Sequence, residues 1–420
     1  MSIILVNAGM KNVTTEYYPP LGLAYLAAQL RLEEIPVKIL DLVIEPEKEV
    51  RKEISAYNFV GVYFNTVNLQ EALEVVKVAK EEGKITILGG PHASFDYLVC
   101  MEHKEVDYII RGEGENVLPI LVKKLLNGDN VEDINSLVFR DKENNIRVNE
   151  LENLIEDLDS LPLPARDLLP MNRYLEKNSD TSIIASRGCP YHCDFCVGTL
   201  MGRNRYRRRS VQSIIAEMDE VINIYKFSRI TFFDDIFTID ESFANELCEN
   251  IKKQKWNIKL SCETRVDRVN EKVLRNMAEA GFDRLFFGVE SGHQEILNKY
   301  NKGTKLEDVR TAVQICKNVG IAPMLSFIIG LPEDTEETIV QTIKFACDLQ
   351  VSKVWFQPFT PFPGTKAYEE AKENGLIESI KPEYYNLRTV VIGTKHLSKN
   401  EIEKLYFKAI LSVYDNIKDK

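Results

Sequence analysis

The chain has 420 residues, of which 44% are apolar and 28% are charged, so it is long enough for two or three globular domains with sizeable cores. Its net charge of −11 argues against a general affinity for nucleic acid or anionic membranes. No apolar run approaches the roughly 20 residues of a membrane span, and the amino terminus lacks the pattern of a signal peptide. We therefore expect a cytoplasmic protein without a membrane span.

Residues 1–150 alternate short apolar runs with helical patterns. The runs "SIILVNA", "VKILDLV", "FVGVYFN", "ITILGG" and "VDYII" are typical of strands, and "PLGLAYLAAQLRLE" and "LQEALEVVKVAKEEG" are typical of helices. Near-continuous apolar strands between helices predict a parallel sheet that is covered on both faces. We therefore expect a doubly wound, Rossmann-like α/β domain, closed by the hairpin "NSLVFRDKENNIRV", that binds ligands beyond the carboxyl ends of its strands.

Residues 151–178 contain three prolines, Pro162, Pro164 and Pro170. Proline at this density disfavours both helix and sheet, so the segment is predicted to be an extended, proline-rich interdomain linker.

Residues 179–375 resume the alternation of strands and helices. Six predicted strands start at "TSIIASRG", "RITFFDD", "KLSCETR", "RLFFGVE", "APMLSFIIG" and "KVWFQPFTPF". Six such units predict a partial (β/α)6 barrel, in which the chemistry lies at the carboxyl ends of the strands. Residues 376–420 are predicted to form a short helical extension at the carboxyl terminus.

Three cysteines in "CPYHCDFC", namely Cys189, Cys193 and Cys196, follow the first predicted barrel strand. A structural zinc site needs a closed set of four ligands, but no second cysteine pair exists and His192 is too near in sequence to complete the set easily. A 4Fe–4S cluster has four irons, so three thiolates leave one iron without a protein ligand. The spacing therefore favours a cluster with one open iron.

This C-x-x-x-C-x-x-C motif resembles that of the radical S-adenosylmethionine enzymes. The resemblance implies that the open iron binds the amino and carboxylate groups of S-adenosylmethionine, which is then cleaved to a 5′-deoxyadenosyl radical. The stretches "FFDDIFTID", "CETRVDRVNEKVLRNMAEAGFDRLFFGVESG" and "SFIIGLPEDTEET" are similar to later motifs of the same family.

The resemblance implies a role in binding S-adenosylmethionine for seven residues and assigns no catalytic residue. The carboxylates would bind the methionyl amino group, the arginine its carboxylate, the Glu-Ser pair the ribose or methionyl part, and the remaining two the adenine. These residues are Asp234, Asp235, Arg265, Glu290, Ser291, Phe195 and Gly330.

The first domain contains "PPLGLAYLAAQL", "ILGGPHAS" and "VDYIIRGEGE", which together resemble the cobalamin-binding domain of class B radical S-adenosylmethionine enzymes. Glycine lets the backbone approach a bulky tetrapyrrole without an intervening Cβ. The residues that the resemblance places at cobalamin are Asn65, Thr66, Gly89, Gly90, Pro91, His92, Gly112, Glu113, Gly114 and Glu115.

The loop after the first strand, "NAGMKNVTTEYYPPLG", contains no histidine. It thus departs from the Asp-x-His-x-x-Gly motif of enzymes such as methionine synthase, whose histidine ligates cobalt. The expected state is base-off and without histidine, with this loop or Asn65 and Thr66 lining the lower face, and with His92 as the alternative ligand.

The resemblance implies a methyltransferase that uses methylcobalamin and a 5′-deoxyadenosyl radical to methylate an unactivated carbon. Two alternatives stay open: radical cyclisation, rearrangement or oxidation without methylation, and a cobalamin or cluster sensor without turnover. A methylthiotransferase is disfavoured, because residues 1–150 hold Cys100 as their only cysteine, too few for a second cluster. A flavodoxin- or ferredoxin-type reductant is implied, and the short carboxyl-terminal tail favours a small-molecule substrate over a peptide.

Overall fold

The computed structural model describes residues 2–9, 17–377 and 384–418. The chain divides into two compact units, Met1–Asp180 and Thr181–Lys420, which are described separately. Within the described ranges, no helix combines the length and the apolar character needed to traverse a bilayer.

The first unit is built on a seven-stranded sheet with the strand order β2-β1-β3-β4-β5-β6-β7. The first five strands in chain order are parallel, and the last two form the expected antiparallel hairpin at one edge. The strands are β1 Ile3–Asn7, β2 Val37–Asp41, β3 Phe59–Tyr63, β4 Ile85–Gly89, β5 Tyr108–Ile110, β6 Leu137–Arg140 and β7 Ile146–Val148.

Helices cover both faces of this sheet. Across the sheet, the chain moves to one side from β1 to β2, through α1, and to the other side from β2 to β3, through α2. Because both connections are right-handed, α1 and α2 lie on opposite faces. The helices are α1 Leu21–Leu32, α2 Val50–Ile54, α3 Leu69–Glu81, α4 Pro91–Phe95, α5 Tyr97–Glu102, α6 Val117–Asn127 and α7 Met171–Glu176, with 3-10 turns at Thr66–Asn68, Leu158–Ser160 and Arg166–Leu168.

The reversal of strand order lies between β1 and β3, and ligands of doubly wound domains bind beside such a reversal. Polar and glycine-rich loops follow β1, β3, β4 and β5 at the same sheet edge. The fold therefore gathers the predicted cobalamin residues at one edge of the first unit.

The proline-rich segment differs from the extended linker that was expected. Its apolar side chains Leu158, Leu169 and Tyr174 are buried, and it forms short helical turns between the prolines. Arg31 makes a two-pronged ion pair with Asp167 at 2.7–2.8 Å, which ties the segment to α1. Proline stops long helices here, but burial of the residues between the prolines packs the segment within the first unit.

The second unit is a six-stranded, wholly parallel sheet with the order β15-β14-β13-β12-β11-β8, plus a small antiparallel ribbon of β9 and β10. The strands are β8 Thr181–Ile183, β9 Ser186–Arg187, β10 Arg207–Arg208, β11 Arg229–Phe232, β12 Lys259–Thr264, β13 Phe282–Glu290, β14 Ala322–Ile329 and β15 Lys353–Pro358.

Helices connect these strands and complete the barrel units. They are α8 Val197–Met201, α9 Val211–Asn223, α10 Glu241–Gln254, α11 Glu271–Glu279, α12 Gln294–Lys299, α13 Leu306–Val319, α14 Glu336–Asp348, α15 Lys366–Glu373 and α16 Lys399–Lys418, with a 3-10 turn at Val266–Arg268. The doubly wound domain, the partial (β/α)6 barrel and the helical extension that were expected from the sequence are confirmed.

Candidate functional site

The three-cysteine loop is held at its base by the β9–β10 ribbon. Arg207 pairs with Arg187 and Arg208 with Ser186, so the chain leaves and returns at neighbouring positions. Gly188 has φ +85°, and a Cβ there would lie 2.1 Å from the carbonyl oxygen of Arg205. Glycine is required here because both the backbone conformation and the close approach exclude a side chain.

The tip of the loop is anchored to the segment after α12 and to α15 through Asp194. Its backbone N–H donates to the Tyr300 carbonyl at 3.1 Å, and its carboxylate accepts from Asn301 and Lys366 at 3.0 Å. Metal-binding loops work best when their geometry is fixed before the metal arrives, and these contacts provide that support.

All three cysteines are free thiols; Cys189 and Cys193 are buried and Cys196 is partly buried. Burial raises the pKa of each thiol, that of Cys189 to about 11. At Cys193 the nearby cations Lys302 and Arg265 oppose the rise in pKa. A bound cluster would complete the conversion to thiolates, since metal ligation deprotonates a thiol.

Within the described residues, no three His, Cys, Asp or Glu side chains are arranged to hold a single metal ion. In a 4Fe–4S cluster each thiolate binds a different iron, so the donor set of this loop suits a cluster.

Asp234 and Asp235, which follow β11, face different partners. Asp234 is buried and accepts hydrogen bonds from the Ser186 hydroxyl and the Ala185 N–H, and burial raises its pKa to about 7. Asp235 accepts from the Gly188 N–H at 3.0 Å, and a Cβ on Gly198 would lie 2.7 Å from its Oδ1. Asp234 therefore fastens the strand before the cysteine loop, whereas Asp235 lies against the loop itself.

Arg265 lies close to the cysteine loop but is already engaged. Asp267 accepts two hydrogen bonds from its guanidinium at 2.9 and 3.1 Å. The guanidinium carbon also lies 3.7 Å from the centre of the Tyr191 ring, within the cysteine motif. The side chain is 5% exposed, so its charge is held rigidly beside the loop.

Glu290 ends β13 in a left-handed backbone conformation, with φ +70°, which is uncommon for a residue other than glycine. Its carboxylate forms an ion pair with Lys302 at 2.8 Å. A Cβ on Gly288 would lie 2.3 Å from Glu290 Oε1, so the side chain folds back over this glycine. Strained backbone of this kind is concentrated at functional sites.

The other predicted contacts to S-adenosylmethionine have mixed surroundings. Phe195 packs with Ile328 against an apolar cluster that includes Leu331, which is suited to a flat base. The Ser291 hydroxyl lies 3.2 Å from that of Thr342 on α14. Gly330 meets α16, because a Cβ there would lie 2.9 Å from Ile402. Ser291 and Gly330 therefore have structural roles, because they pack against α14 and α16, respectively.

Two residues that sequence reasoning did not single out belong to the same region. Lys302 is a buried cation 6.0 Å from the Phe195 ring, and nothing in its sequence context marks it. Glu263 stands in the "ETR" stretch at the end of β12. Its side chain is accessible from inside the curved sheet, yet surrounding protein raises its pKa to about 7, helped by Asp235 and Glu290. Its position two residues before Arg265, in the same motif, could have identified Glu263 as a site residue from the sequence.

In the first unit, the ends of β4 and β5 offer open space beside glycine. A Cβ on Gly89 would meet nothing nearer than 4.0 Å, and one on Gly112 would meet nothing within 4 Å. Gly90 has a close neighbour: its φ is +107°, and a Cβ there would lie 2.3 Å from the carbonyl oxygen of Phe64. Gly90 and Gly112, with φ +107° and +80°, need glycine for their backbone conformation, whereas Gly89 does not; the space beside Gly89 and Gly112 is open.

His92, one residue into α4 after Pro91, is buried and its Nδ1 lies 3.0 Å from the Thr66 hydroxyl. Burial lowers its pKa to about 4, so the ring is neutral at pH 7. Asn65 caps the following turn by accepting from the Val67 N–H at 3.1 Å. The histidine is thus a packed core residue that joins two loops.

The "GEGE" loop is tied into the same unit. The Glu113 carboxylate accepts from the Ile155 N–H at 2.9 Å, Glu115 is buried, and a Cβ on Gly114 would lie 3.2 Å from Leu26 on α1. Most of the loop after β1 that was expected to line cobalt, residues 10–16, lies outside the described residues.

Comparison with known proteins divides the chain in the same way. The profile of the B12 binding domain matches residues 9–122, and that of the Radical SAM superfamily matches residues 183–346.

Similar proteins extend over most of the chain. A protein of Pyrococcus horikoshii named as an uncharacterized methyltransferase is 34% identical over 99% of this chain and 92% of its own length. The anaerobic magnesium-protoporphyrin IX monomethyl ester cyclase of Rubrivivax gelatinosus is 28% identical over 92% of this chain and 72% of its own. The solved structure of TsrM from Kitasatospora setae, a radical S-adenosylmethionine methyltransferase with cobalamin and a 4Fe–4S cluster bound, has a TM-score of 0.80 at 18% identity, covering 99% of this chain and 89% of that one.

Proposed function

Because the chain belongs to the cobalamin-dependent radical S-adenosylmethionine enzymes, we propose that it is a methyltransferase acting on an unactivated carbon of a small molecule. The observation that carries the proposal is that one chain combines a pinned three-cysteine loop with open space beside Gly89 and Gly112 on a doubly wound sheet. When bound, the cluster and S-adenosylmethionine supply a 5′-deoxyadenosyl radical and cobalamin supplies the methyl group.

Cys189, Cys193 and Cys196 hold the cluster. Burial raises the pKa of Cys193, and the positive charges of Lys302 and Arg265 beside this thiol oppose the rise. The same charges suit the carboxylate of S-adenosylmethionine at the open iron. Asp235, whose Oδ2 is occupied by the Gly188 N–H, has its Oδ1 beside the loop and accepts the methionyl ammonium.

Other residues position these groups. Asp234 fixes the strand that leads into the cysteine loop, and Glu290 holds Lys302 in place. Phe195 and Ile328 offer apolar surface to the adenine. These residues exclude water from the reacting region and orient the cofactor, which is what the protein contributes in cofactor enzymes.

In the first unit, Gly89 and Gly112 leave room for the tetrapyrrole, while Asn65 and Thr66 lie at the neighbouring strand end. His92 supports this loop through Thr66 and is proposed not to ligate cobalt, because the ring is 5% exposed and its Nε2 is enclosed by protein atoms.

The similarity to the magnesium-protoporphyrin cyclase supports a second candidate, radical oxidation or cyclisation without methyl transfer. The mass of the product separates the two, since methylation adds one methylene.

A protein of the flavodoxin or ferredoxin type is proposed as the electron donor, because each reductive cleavage of S-adenosylmethionine consumes one electron. We place the reaction in the cytoplasm, where thiols remain reduced.

The proposal is tested by anaerobic reconstitution. The protein should bind about four irons, on the stoichiometry of a 4Fe–4S cluster, retain cobalamin, and release 5′-deoxyadenosine when it is reduced with S-adenosylmethionine. The variant Cys189→Ala/Cys193→Ala/Cys196→Ala should lose the iron and the release but keep cobalamin, whereas Cys248→Ala, at a buried thiol of α10, should keep all three. Full iron content in the triple variant would rule out this assignment.

A further inference from the structure

The guanidinium of Arg265 is held on two sides. Its Nε and Nη2 donate hydrogen bonds to the Asp267 carboxylate at 2.9 and 3.1 Å, so Asp267 occupies one edge of the group. The Tyr191 ring covers one face, with the guanidinium carbon 3.7 Å from the ring centre, well within the reach of about 6 Å for a cation–π contact. Because the side chain is 5% exposed, protein groups rather than water fix its orientation.

The two contacts have different consequences. Asp267 lies in the 3-10 turn that directly follows Arg265, so it orients the guanidinium relative to the end of β12. Tyr191 lies between Cys189 and Cys193, so it orients the guanidinium relative to the cysteine loop. Of the two contacts, the one with Tyr191 is therefore the one that relates Arg265 to the candidate cluster ligands.

Tyr191 itself is anchored through its hydroxyl, which accepts a hydrogen bond from Arg268 Nε. The guanidinium carbon of Arg268 lies 5.5 Å from the ring centre, but Arg268 is exposed. Cation–π contacts are stronger when the cation is desolvated, so the ring interacts more strongly with the buried Arg265. Tyr191 thus has two separable contacts, one through the ring with Arg265 and one through the hydroxyl with Arg268.

Arg265 also lies close to the candidate cluster ligand Cys193, since its charge opposes the rise in the pKa of that thiol. The segment of Lys302 and Gly303 borders the same guanidinium, because a Cβ on Gly303 would lie 3.8 Å from Arg265 Nη2. Asp267 uses only some of the N–H donors of an arginine. The remaining donors can bind a second carboxylate beside the cluster ligand.

We propose that Tyr191 is a positioning residue, whose ring holds the Arg265 guanidinium in the orientation that binds the carboxylate of S-adenosylmethionine. The inference rests on the proposed function and adds a residue to it. A charged donor whose orientation is fixed beforehand loses less conformational entropy when its ligand binds. A ring supplied by the cysteine loop provides this fixed orientation relative to the loop that holds the cluster.

The test measures the affinity of the reconstituted holoenzyme for S-adenosylmethionine by equilibrium dialysis without reductant. Tyr191→Leu removes the ring, whereas Tyr191→Phe keeps the ring and loses only the hydroxyl contact with Arg268. Tyr384→Leu is the matched control, because Tyr384 also has a cation near its ring, with Lys399 Nζ 5.6 Å from the ring centre, and is 39% exposed.

We expect Tyr191→Leu to weaken binding roughly three- to tenfold, in the range of a desolvated cation–π contact. Tyr191→Phe and Tyr384→Leu should bind the cofactor nearly as the parent does. The loss should also depend on the arginine. Arg265→Met alone should weaken binding, and Tyr191→Leu added to Arg265→Met should weaken it no further, since the ring acts through Arg265.

Unchanged affinity in Tyr191→Leu, an equal loss in Tyr191→Phe, or additive losses in the double variant would overturn the proposal. Iron is measured on every sample, and affinity is expressed per cluster. If Tyr191→Leu loses its iron, Tyr191→Met, which fills the space without a π-face, takes its place. Loss of iron from both variants would show that the ring stabilises the loop itself, and would also overturn the proposal.

The parent protein separates this inference from the proposed function. A parent that binds no iron, or that releases no 5′-deoxyadenosine when it is reduced with S-adenosylmethionine, would refute the proposed function. A parent that does both, together with any of the contrary outcomes above, would refute only the role of Tyr191.

Discussion

Lys302 Nζ lies 2.8 Å from Glu290 Oε1, and the two side chains are 9% and 13% exposed. The pair joins the strained end of β13 to the segment after α12, beside Cys193 and Phe195. The pair therefore fixes two segments to each other and holds the Lys302 ammonium beside Cys193.

Replacing Lys302 should damage both roles. Lys302→Met leaves the Glu290 carboxylate enclosed without its partner, so we expect the free energy of unfolding to fall by about 3 kcal/mol. Affinity for S-adenosylmethionine, measured by equilibrium dialysis on reconstituted protein, should fall roughly tenfold, in line with a lost charged hydrogen bond.

Lys299→Met is the matched control, because Lys299 is 46% exposed and pairs with Glu370 at 3.2 Å on the surface. It should cost less than about 1 kcal/mol and leave cofactor affinity unchanged. Equal effects of the two substitutions would show that Lys302 has no special role.

Substitution by alanine at two adjacent glycines should affect two different properties, stability at Gly90 and cobalamin binding at Gly89. Gly90→Ala places a Cβ 2.3 Å from the Phe64 carbonyl oxygen at φ +107°, so it should lower the free energy of unfolding by roughly 2–3 kcal/mol. Gly89→Ala meets open space, so the fold should persist while cobalamin retention after gel filtration falls roughly tenfold. Retention unchanged in Gly89→Ala would remove this glycine from the cobalamin site.

Stability should depend on pH through His92. Burial lowers its pKa to about 4 from 6.5, so between these values the unfolded chain binds a proton that the native protein does not. The stabilisation is therefore complete above pH 6.5 and is lost as the pH falls towards 4, by about 3 kcal/mol. Denaturant unfolding at several pH values should show a shallower acid slope in His92→Asn; identical slopes would contradict a buried neutral ring.

The same ring makes a spectroscopic prediction. With the His92 ring 5% exposed and its Nε2 enclosed by protein atoms, no protein histidine is expected on cobalt. Electron paramagnetic resonance of the cob(II)alamin form should lack nitrogen superhyperfine splitting, and His92→Asn should leave the spectrum unchanged. A splitting that disappears in this variant would identify His92 as a ligand.

The sequence was sufficient to predict the strands, the hairpin and the cysteine loop, because continuous apolar runs and a short motif are local signals. It was insufficient where the partner is distant. Ser291 is paired with Thr342, 51 residues away on α14, and Lys302 has no local pattern that sets it apart from other lysines.

The proline-rich segment 151–178 shows the other limit. Proline density correctly excludes long helices, but it says nothing of burial. The enclosed Tyr174, which donates a hydrogen bond to Asp41 at the end of β2, ties this segment to the first unit. Such packing depends on contacts across more than 130 residues, which local composition does not report.

The most direct test of methyl transfer uses S-adenosylmethionine with a trideuterated methyl group. The reconstituted holoenzyme is reduced anaerobically with this cofactor and a metabolite extract from the organism that encodes the chain, with the triple cysteine variant in parallel. We predict a product in which one hydrogen is replaced by a trideuteromethyl group, formed together with 5′-deoxyadenosine and absent from the variant. Release of 5′-deoxyadenosine coupled to a product that carries no label would contradict the account and favour radical oxidation or cyclisation.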